Sequence, residues 1–297
     1  MLIVFTILCT LAVSSTASAL SFQAPVPLPL PVQAPETAPL EPDRPDVTNG
    51  THIVDVGLLQ IEIGGIVNRT SATARDTGTP VTARLGLSEW LEARLSWDGF
   101  LTTTDVTGYQ SGAGNVQIGA KIRLWADPGG VPVLSILPSI GLPAASESKG
   151  LGSGQADYTV ALLTGTDFLT RGHVDINYGI GRIGAGTGQP RFTQQLVSLS
   201  ASAEVPGPVT PYIESFWYSQ QDPGGGPVVA IDGGAIYVIN PRFAIDGGLQ
   251  VGLTAAAPAV SAFAGVSVVV GDVLGDHGVH ARRREAAKRT AAKGGKP

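Results

Sequence analysis

Two patterns in the sequence have residue types that could do chemistry. The first, "GIGRIG" at residues 179–184, matches the dinucleotide-binding pattern G-x-G-x-x-G. That pattern requires a strand before it, a helix after it and an acidic residue about 20 positions further on. "AGTGQPRF" follows instead, and no helix can begin there. We therefore interpret these glycines as a loop cluster and expect no nucleotide cofactor.

The second pattern is the histidine set, which could serve a hydrolase or a metal site. The sequence contains only His52, His173, His277 and His280, and no G-x-S-x-G motif accompanies them. We interpret His173 and Asp175 as a pore-lining pair and not as a catalytic pair. His277 and His280 alone have ligand spacing, and they fall in a polar tail. We expect no enzymatic activity, no metal and no cofactor.

Charged residues in the middle of predicted strands are the more informative feature. In "LSEWLEARLSWDG", residues 87–99, Glu92, Arg94 and Asp98 alternate with Leu91, Leu95 and Trp97, and "NVQIGAKIRLW" and "HVDINYGIG" repeat the alternation. Successive side chains of a strand point to opposite faces, so each segment has a polar and an apolar face. The polar-face candidates are Glu62, Arg84, Glu92, Arg94, Asp98, Lys121, Arg123, Asp157, His173, Asp175, Glu214, Asp232 and Asp246.

Two all-β architectures are compatible with this alternation. A soluble sandwich would pack the apolar faces together and leave the charges in water. A transmembrane barrel would turn the apolar faces to lipid and enclose the charges in its lumen. Both remain possible from the strands alone.

The connections between the strands favour the barrel. Residues 51–271 divide into about twelve segments of strand character, and long polar connections such as "PAASESKGLGSGQ" alternate with short ones such as "LSE" and the pair Asn240 and Pro241. Outer-membrane barrels have an even strand count, short periplasmic turns and long extracellular loops. We predict an antiparallel up-and-down barrel of about twelve strands in the outer membrane, with both termini periplasmic.

Aromatic residues near strand ends fit the same prediction, because aromatic girdles mark the two membrane interfaces. The candidates for the lipid interface are Trp97, Tyr158, Tyr178, Trp217, Tyr237 and Phe243. We expect these to contact membrane lipid and lipopolysaccharide. The net charge of −5 gives no reason to expect a nucleic-acid partner.

The two ends of the chain differ from the barrel region. Residues 1–19 resemble a cleavable export signal ending in an A-x-A pattern, the alternative being a membrane anchor. Residues 20–50 are proline-dense, so we predict an extended periplasmic linker, either a passive tether or a docking site. Residues 272–297 are basic, and we predict a disordered tail or a contact with the anionic envelope surface.

Several phrases together resemble one bacterial family: "LGLSEWLEARLSWDG", "GNVQIGAKIRLW", "GSGQADYTVALLTG" and "PRFAIDGGLQVGLT". The chain looks like the outer-membrane barrels labelled phenol-degradation meta-pathway (MetA-type) proteins, over most of residues 51–271. The resemblance implies a barrel of about twelve strands and a transporter or channel for small hydrophobic or aromatic solutes. One departure is that such barrels commonly end on an aromatic strand, whereas a basic tail follows here.

The role of the lumen charges stays open between two interpretations. They could fill and stabilise a closed barrel through cross-strand ion pairs, or they could line a pathway and set its selectivity. A non-conducting structural or envelope-assembly protein is the alternative function, followed by a secreted soluble β protein. The solute and the oligomeric state are not encoded in any motif we identify.

Overall fold

The strands account for nearly all regular structure in this computed structural model, which describes residues 40–45, 47–126 and 132–275. The predicted signal peptide, residues 20–39 of the predicted linker and the basic tail beyond residue 275 lie outside the described residues. The first strands are β1 (Leu58–Arg69), β2 (Arg75–Gly78), β3 (Val81–Ser88), β4 (Leu91–Trp97), β5 (Phe100–Asp105), β6 (Gly108–Ala113), β7 (Val116–Trp125) and β8 (Val133–Leu142). After a short 3-10 helix (Glu147–Lys149) follow β9 (Asp157–Phe168), β10 (Gly172–Ile183), β11 (Phe192–Ala203), β12 (Val209–Tyr218), β13 (Val228–Asn240), β14 (Phe243–Gly252) and β15 (Val260–Asp272).

Twelve of these strands close into an antiparallel barrel, as predicted. Sequential neighbours pair around the sheet, and β1 pairs with β15 from Leu58 opposite Asp272 to Arg69 opposite Val260. Closure leaves the wall without an unpaired strand edge, which is the condition for strands to cross a lipid bilayer. Among the described residues, no helix is long and apolar enough to cross a membrane.

The three remaining strands β2, β5 and β6 prolong β3, β4 and β7 beyond one end of the wall. The chain kinks between β4 and β5 at Gly99, whose φ is +78°. A Cβ atom at this position would lie 1.9 Å from the carbonyl oxygen of Thr79, so only glycine allows the two backbones to approach. The extension therefore belongs to the loops rather than to the membrane-crossing wall.

The two ends of the barrel are built differently. At one end the connections are short, for example residues 89–90 and 241–242, and β1 starts and β15 finishes there. At the other end the connections include residues 143–156, 184–191 and 219–227. We call these the short-turn end and the long-loop end. "GIGRIG" differs from our expectation, because residues 179–183 form the end of β10 and only Gly184 lies in the following loop.

The two faces of the wall are inverted relative to a soluble protein. Aliphatic side chains in mid-strand, such as Leu95, Ile118 and Ile213, are 52–59% exposed on the outside. The largest fully buried side chains include Arg84, Lys121, Glu62, Glu92 and Glu214. Soluble proteins rarely bury such residues and do not leave aliphatic bands uncovered. The alternation therefore reflects lipid outside and a polar lumen inside, and the soluble sandwich is excluded.

Candidate functional site: the lumen and the segment inside it

A segment that precedes the wall lies inside the lumen. We expected residues 20–50 to form a linker and the barrel to begin at residue 51. The described part of that stretch instead runs through the barrel interior, and the first wall strand begins only at Leu58. We call residues 40–45 and 47–57 the lumen segment. Leu40, Ile53 and Val54 are only 3–5% exposed, because the wall surrounds them.

The apolar residues of the lumen segment anchor both of its ends. Leu40 packs against Ala244 and Val269 in a small cluster on the inner face of the wall. At the other end Val56 forms a parallel bridge with Gly86 of β3. A Cβ on Gly86 would lie 2.1 Å from the carbonyl oxygen of Val54, so the close approach of the segment requires glycine there. The segment thus enters and leaves the lumen at the short-turn end, and its middle part crosses the barrel interior.

Asp43 lies at the centre of the charged part of the lumen. Its Oδ2 atom is 2.7 Å from Lys121 Nζ and 3.5 Å from Arg84 Nη2, and it also accepts a hydrogen bond from Arg94 Nη1. Three cations thus surround one oxygen of Asp43, and opposite charges at this range favour the ionised carboxylate.

Two wall carboxylates complete this ionic cluster. Glu92 accepts hydrogen bonds from Arg84 Nε at 2.9 Å and from Arg84 Nη2 at 3.0 Å, a bidentate pair between β4 and β3. Glu62 of β1 accepts from Arg84 Nη1 at 2.8 Å. The second oxygen of Glu92 also accepts the backbone N–H of Val54 at 2.9 Å. The wall carboxylates therefore bind both the wall cations and the lumen segment.

Wall strands beyond this ionic cluster hold the segment through carboxylates. Glu214 of β12 accepts the backbone N–H of Val47 at 2.8 Å and that of Thr48 at 2.5 Å. Arg44 Nη2 lies 3.3 Å from Asp246 of β14. Lys121 Nζ, from the first side, donates to the carbonyl oxygens of Gly50 and His52 at 2.8 and 3.1 Å. The segment is consequently tied to wall strands all around the barrel.

A cavity of about 520 Å³ lies between the lumen segment and the short-turn end. Asp43, Arg44, Arg123, His173 and Asp175 are among the polar residues that border it. Apolar side chains border it as well, namely Leu40, Tyr212, Ile236 and Val238. Its volume is in the range of pockets that hold small organic molecules.

The predicted lumen residues divide into three groups. Glu62, Arg84, Glu92, Arg94 and Lys121 meet in one cluster. Further along the lumen wall lie the buried Asp232 opposite Glu214, the buried Asp246, Arg123 with Nη2 3.4 Å from Thr51 O, and the His173–Asp175 pair at 3.2 Å. Asp98 and Asp157 do not join them, since they bind loop-side backbone N–H groups of Asn115 and Gly184 at the long-loop end.

Sequence analysis missed the residues that the lumen segment contributes. Asp43 and Arg44 belong to "EPDRPD", which we assigned to the linker on its proline content. The charges within that phrase were the available signal. A tether with no partner has no need of an Arg between two Asp residues.

The predicted interface aromatics fall mostly at the two ends of the wall. Trp97, Tyr158 and Trp217 lie toward the long-loop end, and Tyr237 and Phe243 lie toward the short-turn end. Tyr178 differs, because it occupies the middle of β10. Trp90, Trp125 and Phe168, which the sequence analysis did not select, are 42–52% exposed at the short-turn end. Exposed aromatics thus occur at both rims.

Comparison with known proteins agrees with the barrel fold. The family model described as "Putative MetA-pathway of phenol degradation" matches residues 42–269. The chain belongs to this family. The match begins within the lumen segment, so the MetA-pathway family model includes most of that segment as well as the wall. No curated relative matches the chain at the sequence level.

Solved structures similar to this MetA-pathway family member are outer-membrane barrels. An outer-membrane channel from Pseudomonas putida F1 is 14% identical with a TM-score of 0.56, and the match covers 74% of this chain and 97% of that one. The NanC porin is 12% identical with a TM-score of 0.49, covering 71% and 98%. The similarity to the P. putida channel establishes the common fold.

Proposed function

We propose that the protein is a channel of the Gram-negative outer membrane that passes small hydrophobic or aromatic solutes without chemical change. The observation that carries this proposal is the inverted barrel, with aliphatic side chains on its outer face and charged side chains around an interior cavity. The family description, which concerns phenol degradation, supports a small aromatic solute. The P. putida relative is described as an outer-membrane channel.

The proposal also covers how the protein is exported and how it is oriented in the membrane. Residues 1–19 act as a cleavable export signal, both termini are periplasmic, and the short-turn end faces the periplasm. The rims contact membrane lipid and, on the outer side, lipopolysaccharide. The lumen charges act on passing solutes and carry out no catalysis. Among the described residues, no three or more His, Cys, Asp and Glu side chains come together as a candidate metal site.

Planar-bilayer recording and vesicle uptake test the proposal together. The purified protein should give discrete conductance steps, and vesicles that contain it should take up phenol faster than empty vesicles. Arg94→Ala should alter the conductance, because Arg94 lies in the lumen. Leu249→Ala is the matched control, because Leu249 is 65% exposed on the outer face. Recovery of the native protein only in soluble fractions would favour a secreted β protein. If neither the wild type nor Arg94→Ala conducts, a structural role is favoured.

A further inference from the structure

Three cationic side chains converge on a single oxygen atom that does not belong to the wall. We call Arg84, Arg94 and Lys121, from β3, β4 and β7, the cationic cluster. All three contact Oδ2 of Asp43, and their side chains are 0%, 10% and 0% exposed. Their own backbones are fixed by adjacent pairing of β3 with β4 and of β4 with β7. The wall therefore holds a preformed arrangement of donors around one carboxylate.

The charges of the wall alone do not balance at this point. Glu62 and Glu92 neutralise two of the three cations through contacts with Arg84 and Arg94. Within the described cluster, the third positive charge, that of Lys121, forms its ion pair with Asp43. An uncompensated buried charge costs several kcal/mol in a protein. Loss of the Asp43 carboxylate while the lumen segment stays in place therefore leaves one uncompensated positive charge buried in the cationic cluster, which another anion would neutralise.

We propose that the cationic cluster is a binding site for the carboxylate group of a small organic acid, and that Asp43 is its internal occupant in the resting structure. The proposal deepens the channel function and rests on it. It assigns to the lumen a solute class with one carboxylate and an apolar body. Asp43 and the solute carboxylate compete for the same donors.

The donor set and the charge balance select a carboxylate over other ligands. Arginine forks and an ammonium group match planar carboxylate oxygens with charge-assisted hydrogen bonds. One negative charge brings the cluster to neutrality, whereas a doubly charged phosphate would leave an excess. The adjoining cavity of about 520 Å³ has room for the rest of the solute. Leu40, Ile236 and Val238 on its border provide an apolar surface for that body.

Chemical rescue tests this site on the full-length protein without requiring transport. Asp43→Ala removes the carboxylate and leaves space of the size of formate. The measurement is the temperature at which the folded, fast-migrating band is lost in detergent. Formate or acetate should raise that temperature in Asp43→Ala by at least about 2 °C. Chloride, inorganic phosphate and neutral acetamide, at matched ionic strength, should not.

Two control variants make the test specific. Asp43→Ala combined with Lys121→Met restores the balance of the remaining wall charges, so formate should no longer raise its temperature. Asp105→Ala removes an exposed loop carboxylate and should not respond either. If Asp43→Ala is not recovered folded, its refolding yield in formate against chloride gives the same comparison, and higher yield in formate is expected.

The outcomes separate this proposal from the proposed function. An equal rise with chloride or phosphate, a rise in the double variant, or no rise with any carboxylate overturns the carboxylate site. Absence of conductance and uptake by the wild type defeats the channel function, yet it leaves the rescue result unaffected because rescue is measured on folded protein. Formate-specific rescue confined to Asp43→Ala establishes the site.

Discussion

Asn49 and Asn177 form a reciprocal pair across the lumen. The backbone N–H of Asn49 donates to Oδ1 of Asn177 at 2.7 Å, and Nδ2 of Asn177 donates to the carbonyl oxygen of Asn49 at 2.9 Å. The Asn177 side chain thus bonds as a neighbouring strand would, and it satisfies both backbone polar groups of one lumen-segment residue, Asn49. Asn177 is 1% exposed, so water does not compete for these bonds.

Asn177→Ala should loosen the lumen segment without breaking the wall. Loss of two buried hydrogen bonds weakens the attachment by about 1–3 kcal/mol, which raises the population of detached segment about 5- to 150-fold. We expect larger or more frequent conductance steps in planar bilayers. Gln110→Ala, at an exposed amide on β6 outside the membrane-crossing wall, is the control and should conduct like the wild type. Identical recordings from both variants would mean that the segment does not restrict passage.

Arg84 and Glu92 should show strong coupling in stability. Arg84→Met leaves Glu62, Glu92 and Asp43 facing only two cations, and breaking a buried pair in this way costs about 3–5 kcal/mol. Arg84→Met combined with Glu92→Met keeps the cluster balanced. The double variant should therefore be more stable than Arg84→Met. Urea unfolding in lipid vesicles measures the free energies of unfolding, and simple additivity of the two single changes would contradict this expectation.

The outer face should show the depth dependence of a lipid-facing wall. Ile213 lies in the middle of β12 and is 59% exposed, whereas Ile239 is 50% exposed close to the short-turn end of β13. Ile213→Arg should lower the free energy of unfolding in vesicles by about 2–4 kcal/mol, and Ile239→Arg by about 0–1 kcal/mol. Equal small effects would indicate that this face meets water.

Glu147 should hold two long loops together. Its Oε1 accepts the backbone N–H of Thr187 at 2.7 Å, and its Oε2 accepts the hydroxyl of the same residue. Glu147→Gln should speed hydrogen exchange of residues 184–191, measured by mass spectrometry. Residues 253–259, in another loop, serve as the internal control. Unchanged exchange in residues 184–191 would show that the contact does not order the loop.

The same contact predicts a pH dependence. The hydroxyl and the backbone N–H of Thr187 lower the pKa of Glu147, so the ionised form is the one that the folded loops stabilise. For a lowered pKa, this stabilisation is present above the ordinary glutamate pKa and is lost as the pH falls through the lowered value. Residues 184–191 should therefore keep their protection, corrected for intrinsic exchange, from neutral pH down to about 5. A loss of protection between pH 7 and 5 would contradict this assignment.

Wall topology was accessible from the sequence because its determinants are local. The alternation of Glu92 and Arg94 with Leu91 and Leu95 follows from the two-residue period of a strand. The segments of strand character predicted the strand count, and the alternation of long and short connections predicted the up-and-down barrel. The extension of β2, β5 and β6 was not predicted, because its Thr- and Gly-rich sequence, such as "LTTTDVTGYQSGA", is typical of a long polar loop.

Placement of the lumen segment was not accessible in the same way. Proline-dense sequence in residues 20–50 predicts an extended chain, and the described part is indeed irregular. Its position depends on partners that are far away in sequence, such as Asn177 for Asn49 and Glu214 for Thr48. No periodicity encodes those contacts.

The sequence by itself determined which side chains share a face and which face is charged, because strand geometry fixes both within a few residues. Only the tertiary structure decided which charges neutralise one another. Closing β1 against β15 brings the inner faces of all the wall strands around one space, and the lumen segment places Asp43 within it. The attraction of Asp43 to Arg84, Arg94 and Lys121 depends on distances of a few ångströms and on the exclusion of water. Both conditions arise only when the barrel closes around its own N-terminal segment.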